Sequence, residues 1–267
     1  MNLRIGNTKV IKYKDVYIKK ETDNLTGSIK DRSAYEILRH HLDKNKTLVI
    51  TTSGNMGISF SRIALYFKQP LLVITPKSEN KKKLMENEYT KVIETNPEFG
   101  IKGTLKEFKK YKNNLNYKLI NQFSSLYNPL GYFPLVKEIM NSFKKLDYVI
   151  CGIGTGGTFY TLSKVLKKIY PGISVYGVTS KPNETIDGIG SNYHGLIYNK
   201  IPKENIYEVS KEETLKVFKE TYNESYDFGL STCAQIALVR KLNLKGTILI
   251  INSDGASKYL EYLWLNI

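Results

Sequence analysis

The chain is short of the residues that build metal sites and disulfide frameworks. Of its 267 residues only two are cysteine, Cys151 and Cys233, and only three are histidine. Two cysteines give neither a disulfide scaffold nor zinc-site spacing, and they fit a reducing compartment. His40 and His41 are adjacent. Neighbours on a helix point different ways, so they make a poor metal pair. No apolar run approaches the roughly 18 residues of a membrane span. The opening MNLRIGNTKV has no apolar centre of a secretion signal, which predicts a cytoplasmic protein. No repeat, low-complexity tract or linker interrupts the chain. Acidic residues are also scarce: 25 Asp+Glu against 40 Lys+Arg leave a net charge of +15. The lysines are nonetheless scattered. NKKKL (80–84) and EFKKYKN (107–113) read as solvated helix faces rather than one stripe, and no zinc-finger or RNP-like motif accompanies them. The excess charge therefore argues for a surface that favours small anions, not for a nucleic-acid or membrane partner.

What is present is alternation. Hydrophobic residues make up 41% of the chain, enough for a sizeable core. Apolar strand-like runs (TLVITT at 47–52, PLLVITP at 70–76, KVIET at 91–95, YKLINQF at 117–123, DYVICGI at 147–153, SVYGVT at 174–179, GTILIIN at 246–252) alternate with helical patterns. Repeated β–α alternation predicts parallel sheets covered by helices on both faces. In such folds ligands bind beyond the carboxyl ends of the strands.

Two loops at that end stand out. GIGTGGT (152–158) joins a strand to a helix. Its glycines let the backbone approach an anion, and the helix N-terminus supplies N–H groups and a positive dipole end. It is not a Walker loop, and it matches the dinucleotide pattern only in part. TSGNMG (52–57) also precedes a helix and suits a carboxylate or phosphate, although S-G-N is common turn chemistry. A third segment, ETDNLTGSIKDRSAYEIL (21–38), places Lys30 at the start of a helix. Ser28 reads as its N-cap and Asp31 completes an S-x-x-D capping box. An ammonium is disfavoured there by the helix dipole. Lys30 is either an ordinary exposed side chain or an amine that condenses with a carbonyl.

Seven motifs occur in one order over nearly the whole chain: IGNT (5–8), N-x-T-G-S-x-K-D-R (24–32), TSGNMG (52–57), NQF (121–123), GTGGT (154–158), GIG (188–190) and GLST (229–232). The set resembles the fold type II (tryptophan synthase β-like) family of pyridoxal-phosphate enzymes, most closely its cysteine synthase and cystathionine β-synthase branch. The resemblance implies an α/β protein of two three-layer α/β/α domains with mostly parallel sheets and the cofactor, pyridoxal 5'-phosphate, in the cleft between them. It implies a large cofactor-binding domain (1–34 with 126–267) and a smaller mobile domain (35–125). It implies that Lys30 forms the internal aldimine and later moves the α-proton. Asn55 would meet the ring hydroxyl, Gly154, Thr155, Gly156, Gly157 and Thr158 the phosphate, and Ser231 the pyridine nitrogen. Thr52, Ser53 and the backbone of Gly54 to Met56, with Gln122, would bind the substrate carboxylate. Asn192, just after the GIG turn, reads either as a polar contact near the reacting carbon or as a surface turn residue. Asp254, in INSDGAS after the last strand, reads either as a cap or turn residue or as an acid that points to the same end of the sheet and partners the ring nitrogen in place of Ser231.

The implied reaction is β-replacement on an activated serine-type amino acid through an aminoacrylate, with O-acetylserine or a related donor plus sulfide giving cysteine. The alternative is β-elimination, as in a serine/threonine dehydratase or cysteine desulfhydrase. The implied partners are a small amino acid and a small nucleophile, and the implied assembly a homodimer. Three departures bear on the substrates. Met56 stands where the branch usually has threonine, Cys233 replaces a usual glycine, and the segment before Gly188 is shorter than usual for cysteine synthases.

Overall fold

The structure is a computed structural model describing residues 3–52, 54–190 and 195–264. In chain order the elements are β1 (Val10–Tyr13), β2 (Val16–Lys20), α1 (Lys30–Arg39), β3 (Thr47–Thr51), α2 (Asn55–Phe67), β4 (Leu71–Pro76), α3 (Glu79–Met85), β5 (Thr90–Thr95), α4 (Gly100–Lys109), β6 (Tyr117–Ile120), α5 (Tyr127–Leu130), α6 (Phe133–Ser142), β7 (Tyr148–Gly152), α7 (Gly157–Ile169), β8 (Ser174–Ser180), β9 (Ile206–Val209), α8 (Lys211–Asn223), α9 (Leu230–Lys241) and β10 (Ile248–Asn252). They form a six-stranded sheet, β1-β2-β10-β7-β8-β9, and a four-stranded sheet, β5-β4-β3-β6. Only the β1–β2 pair is antiparallel.

Apolar residues on both sides of each strand explain the layers. A strand's side chains alternate between faces, so a continuous apolar run must be covered twice. In β10, Ile248 and Ile250 join one core with α8 and α9 residues such as Phe218 and Ala234. Leu249 and Ile251 join a second core with Leu135 and Ile139 of α6 and Phe159 and Leu162 of α7. The smaller sheet is built alike. Leu48, Ile50 and Val73 pack with Ala34, Ile37 and Leu38 of α1 and Phe60 and Ile63 of α2, while Val49, Leu72 and Ile74 pack with Phe108 of α4. Both sheets are thus the middle layer of an α/β/α sandwich.

Two elements depart from the sequence reading. Helix α3 ends at Met85, although the helical pattern of the sequence, ENKKKLMENEY (79–89), predicts a helix that continues through ENEY. Asn87 stops it: its side-chain nitrogen donates to Ser61 Oγ at 2.7 Å, and its oxygen accepts from the Tyr89 amide at 3.0 Å. Such local bonds compete with the helical ladder. The hairpin β1–β2 has no clear strand signature because lysines punctuate VIKYKDVYIKK. One of them, Lys19, is only 1% exposed and donates to Thr8 O at 2.6 Å and Glu138 Oε2 at 2.6 Å.

Lys19 belongs to a buried charge cluster centred on Arg32. The guanidinium meets Glu21 through Nε at 2.6 Å and Nη2 at 2.9 Å, and Glu138 through Nη1 at 2.8 Å and Nη2 at 2.9 Å. Burial pushes the Glu138 carboxyl up, but the hydrogen bonds and charge of Arg32, helped by Lys19, outweigh it and bring it down to about 2 from 4.5. A depressed carboxylate contributes stability that is complete above its unfolded value and is lost as the pH falls towards the folded one. The cluster's contribution should therefore fade between about pH 4.5 and 2. Glu138→Gln leaves buried Arg32 half-compensated, so it should cost about 3 kcal/mol at pH 7. It should also flatten the loss of stability over that acidic window, as urea melts at stepped pH would show.

Candidate active site

Helix α1 begins at Lys30, where the chain is stitched to the end of β10. Ile29 N donates to Ser253 O at 2.9 Å, and Ser28 pairs with Asp254 in an isolated antiparallel bridge. The expected capping box does not form. Ser28 Oγ accepts from the Lys30 amide at 3.3 Å, but the N-cap position is taken by Ile29, already helical in φ and ψ. The Asp31 carboxylate turns instead to Thr26, accepting from its amide and its hydroxyl, each at 2.7 Å. Asp31 is fully buried, and a buried carboxyl needs such donors.

Lys30 faces a cleft of about 420 Å³, counting the space that opens to solvent. Asn55, Ser231 and Asp254 line it with the glycine loop 154–158 and Gly188. The loop leaves β7 and opens α7, while Asn55 is the first residue of α2. Two helix N-termini thus border one cleft, each with unsatisfied N–H groups and a positive dipole end. Gly156 caps α7 with φ +90°, a conformation L side chains rarely adopt, and a Cβ there would stand 3.3 Å from the Tyr198 Cα. A Cβ on Gly154 would lie 3.9 Å from Lys30 Nζ, so the missing side chain leaves room beside the amine.

Two polar atoms in the cleft wall lack protein partners. Ser231 is 3% exposed and Asp254 2%, and Ser231 Oγ and Asp254 Oδ1 make no hydrogen bond within the protein. Buried polar groups are normally paired, so Ser231 Oγ calls for a polar atom from a ligand, whereas Asp254 Oδ1 lies against Gly229. A phosphate-bearing carbonyl compound with a polar ring fits this set of amides, amine and hydroxyl. Asp254 is not the cap or turn residue its position suggests. Its Oδ2 accepts from Asn55 Nδ2 at 2.6 Å and from the Tyr259 hydroxyl at 2.5 Å. Burial pushes its carboxyl up, against the pull of Lys258 and of these two bonds.

The residues expected to contact the substrate fall into two groups. Ser53 and Asn192 lie outside the described residues. Thr52, Gly54, Met56 and Gln122 gather at the end of β3, where Gly54 and Met56 flank the cleft residue Asn55. Gln122 Nε2 donates to Thr51 O at 2.9 Å, and Thr52 Oγ1 accepts from the Gly54 amide at 3.2 Å. The Met56 side chain is 3% exposed and packs in the core beneath α2. Asn128 carried no signal, because N-P in LYNPLGYF reads as plain turn chemistry. Its Nδ2 donates to Gln122 O at 2.8 Å and Thr155 Oγ1 at 3.0 Å, tying the end of β6 to the glycine loop. Neither cysteine is a candidate nucleophile. Both are buried; burial pushes the Cys233 thiol up to about 12 and the Cys151 thiol well above its usual value. Among the described residues no group of acidic, histidine or cysteine side chains is placed to hold a metal ion, and no helix is long and apolar enough to cross a membrane.

The chain is similar to known proteins over nearly its whole length. The family described as pyridoxal-phosphate dependent enzyme matches residues 1–254. Cysteine synthase B of Campylobacter jejuni is 28% identical over 288 residues, covering 96% of this chain and 95% of that one. The crystal structure of an O-acetylserine dependent cystathionine beta-synthase from Helicobacter pylori has a TM-score of 0.89 at 26% identity, over 98% of this chain and 97% of that one. A hydrogen sulfide-producing enzyme from Fusobacterium nucleatum has a TM-score of 0.87 at 29% identity, over 96% and 97%.

The glycine loop yields a direct test. Gly156→Val would strain the cap and turn the loop amides away from an anion. Losing two charge-assisted hydrogen bonds, about 3 kcal/mol together, corresponds to about 100-fold weaker binding of pyridoxal phosphate. Titration of the apoprotein followed by visible absorbance should show that loss, with far-ultraviolet circular dichroism unchanged.

Proposed function

The chain belongs to the family of pyridoxal-phosphate dependent enzymes, and on that premise we propose that it catalyses β-replacement on an activated serine-type amino acid, joining a donor such as O-acetylserine to sulfide to give cysteine. The observation that carries this reading is the convergence of Lys30, the glycine loop and the unpartnered Ser231 Oγ on one cleft. The names of the relatives support it.

When bound, pyridoxal phosphate supplies an electron sink that labilises the α-proton of an amino acid and the leaving group on its Cβ. The chain's own residues do the rest. The amides of Gly154–Thr158 and the hydroxyls of Thr155 and Thr158 hold the phosphate at the N-terminus of α7. Ser231 Oγ donates to the ring nitrogen. As a neutral partner it has no charge with which to keep a proton there, which favours elimination at Cβ over racemisation. Asn55 Nδ2 meets the ring hydroxyl. Lys30 Nζ would hold the carbonyl carbon until the substrate's amino group displaces it, and the freed amine would then be the base that moves the proton from Cα. Thr52, Ser53 and the backbone amides of Gly54 to Met56, with Gln122, bind the substrate carboxylate.

In this reading residues 35–125 form the smaller domain, closing on residues 1–34 with 126–267 and excluding water from the reacting carbon. The working form is a cytoplasmic homodimer. Phe133 and Met140 support that assembly: they are seven residues apart on α6, hence on one face, and are 45% and 44% exposed.

The test is to supply holoenzyme with O-acetylserine, O-phosphoserine, serine and cysteine in turn, with and without sulfide. Cysteine formed from an activated serine only when sulfide is present is the expected result. Lys30→Ala should lower that turnover by about 10²- to 10⁴-fold, the contribution typical of a positioned base. Pyruvate released at a rate that no nucleophile alters would assign β-elimination instead.

A further inference from the structure

Asn55 is held from both ends. Its Nδ2 donates to Asp254 Oδ2 at 2.6 Å, and its Oδ1 accepts from Lys258 Nζ at 2.9 Å. Both partners lie in the segment after β10, next to the six-stranded sheet, while Asn55 opens α2 beside the four-stranded one. The two bonds therefore span the cleft. A side-chain amide has nearly the same shape in either orientation, and only its partners decide which end is nitrogen. An ammonium can only donate, so it must face the amide oxygen. A carboxylate can only accept, so it must face the amide nitrogen. Turning the amide over would set N–H against N–H and oxygen against oxygen.

We propose that Asp254 and Lys258 are a positioning pair whose opposite charges fix the orientation of the Asn55 amide, so that its second N–H is presented to the ring hydroxyl of the bound cofactor. The proposal rests on the reading that Asn55 meets that hydroxyl. The amide nitrogen carries two hydrogens. Asp254 takes one, and Asn55 lines the cleft with Lys30, where a ligand hydroxyl competes with the neighbouring Tyr259 oxygen for the second. The setting keeps the pair rigid. Asp254 is 2% exposed, and its Oδ2 also accepts from Tyr259. Lys258 is partly buried, and its Nζ reaches Gly27 O at 3.4 Å, in the loop that leads to Lys30. Burial pushes the Lys258 amine down, while Asp254, Asp31 and Asp227 favour its charged form.

The experiment measures binding, not turnover. Apoprotein is titrated with pyridoxal phosphate and with 3-deoxypyridoxal phosphate, which lacks the ring hydroxyl, for wild type, Asn55→Ala, Lys258→Met, Lys258→Arg and Asp254→Asn. Wild type should prefer the hydroxylated cofactor by about tenfold, the worth of one hydrogen bond to a charged group. The preference should fall to about twofold or less in Asn55→Ala and Lys258→Met, survive in Lys258→Arg, and fall in Asp254→Asn, whose amide can face Asn55 either way. A general loss of structure would weaken both ligands equally and leave their ratio unchanged. If the preference is lost in Asn55→Ala but intact in Lys258→Met and Asp254→Asn, the positioning pair is refuted while the Asn55 contact stands. If wild type shows no preference, or Asn55→Ala keeps it, the contact itself is wrong and the proposal falls with it.

Discussion

The guanidinium of Arg32 is the point on which the site depends. It is buried two residues after Lys30, and it holds the carboxylates of Glu21 and Glu138 from opposite sides. Glu21 follows β2, Glu138 lies in the middle of α6, and Lys19 closes the cluster from β2 itself. Such a cluster is a poor source of net stability, because each charge loses its hydration. What it gives is register. Three parts of the chain, the end of β2 with Glu21, the start of α1 and the middle of α6, can meet there in only one arrangement that leaves no charge uncompensated. That arrangement sets the first turn of α1, and with it Lys30, against the ends of β7 and β10.

The cleft follows from parallel topology. Strands β3, β7 and β10 all end at it, and α2 and α7 begin at it. A parallel sheet must return each crossover to the same edge, so its helix N-termini collect at one end. There they offer amides and positive dipole ends without further design. The chain adds glycines where an anion approaches, an amine between the two helices, and a serine hydroxyl with no partner of its own. The high lysine content gives the whole molecule a field that draws anions.

Much of this was legible in the sequence, for identifiable reasons. The buried strands are continuous apolar runs, and three of the five residues of the glycine loop 154–158 are glycine. The seven motifs named the family and the cofactor, and the chain's membership of that family agrees with them. Other features could not be read. Lys19 sits fully buried in β2, so the hairpin lacked an alternating pattern. Asp31 looks like half of a capping box, but Thr26 competes for its carboxylate from five residues upstream. Asp254 occupies an ordinary turn position, and only the tertiary fold, through Asn55, Tyr259 and Lys258, makes it a wall of the cleft. Asn128 is similar: its partners Gln122 and Thr155 are brought to it by β6 and β7. In each case a long-range partner overrides the local reading.

The central claim is that Lys30, and no other amine, anchors the cofactor. Lys258 is the fair competitor, since its Nζ lies one hydrogen bond from Asn55 in the same region. Holoprotein reduced with borohydride and digested with trypsin reports the attachment site directly by mass spectrometry. The account predicts the phosphopyridoxyl mass on the peptide that contains Lys30, with Lys258 unmodified. The mass on Lys258 or any other lysine would contradict it.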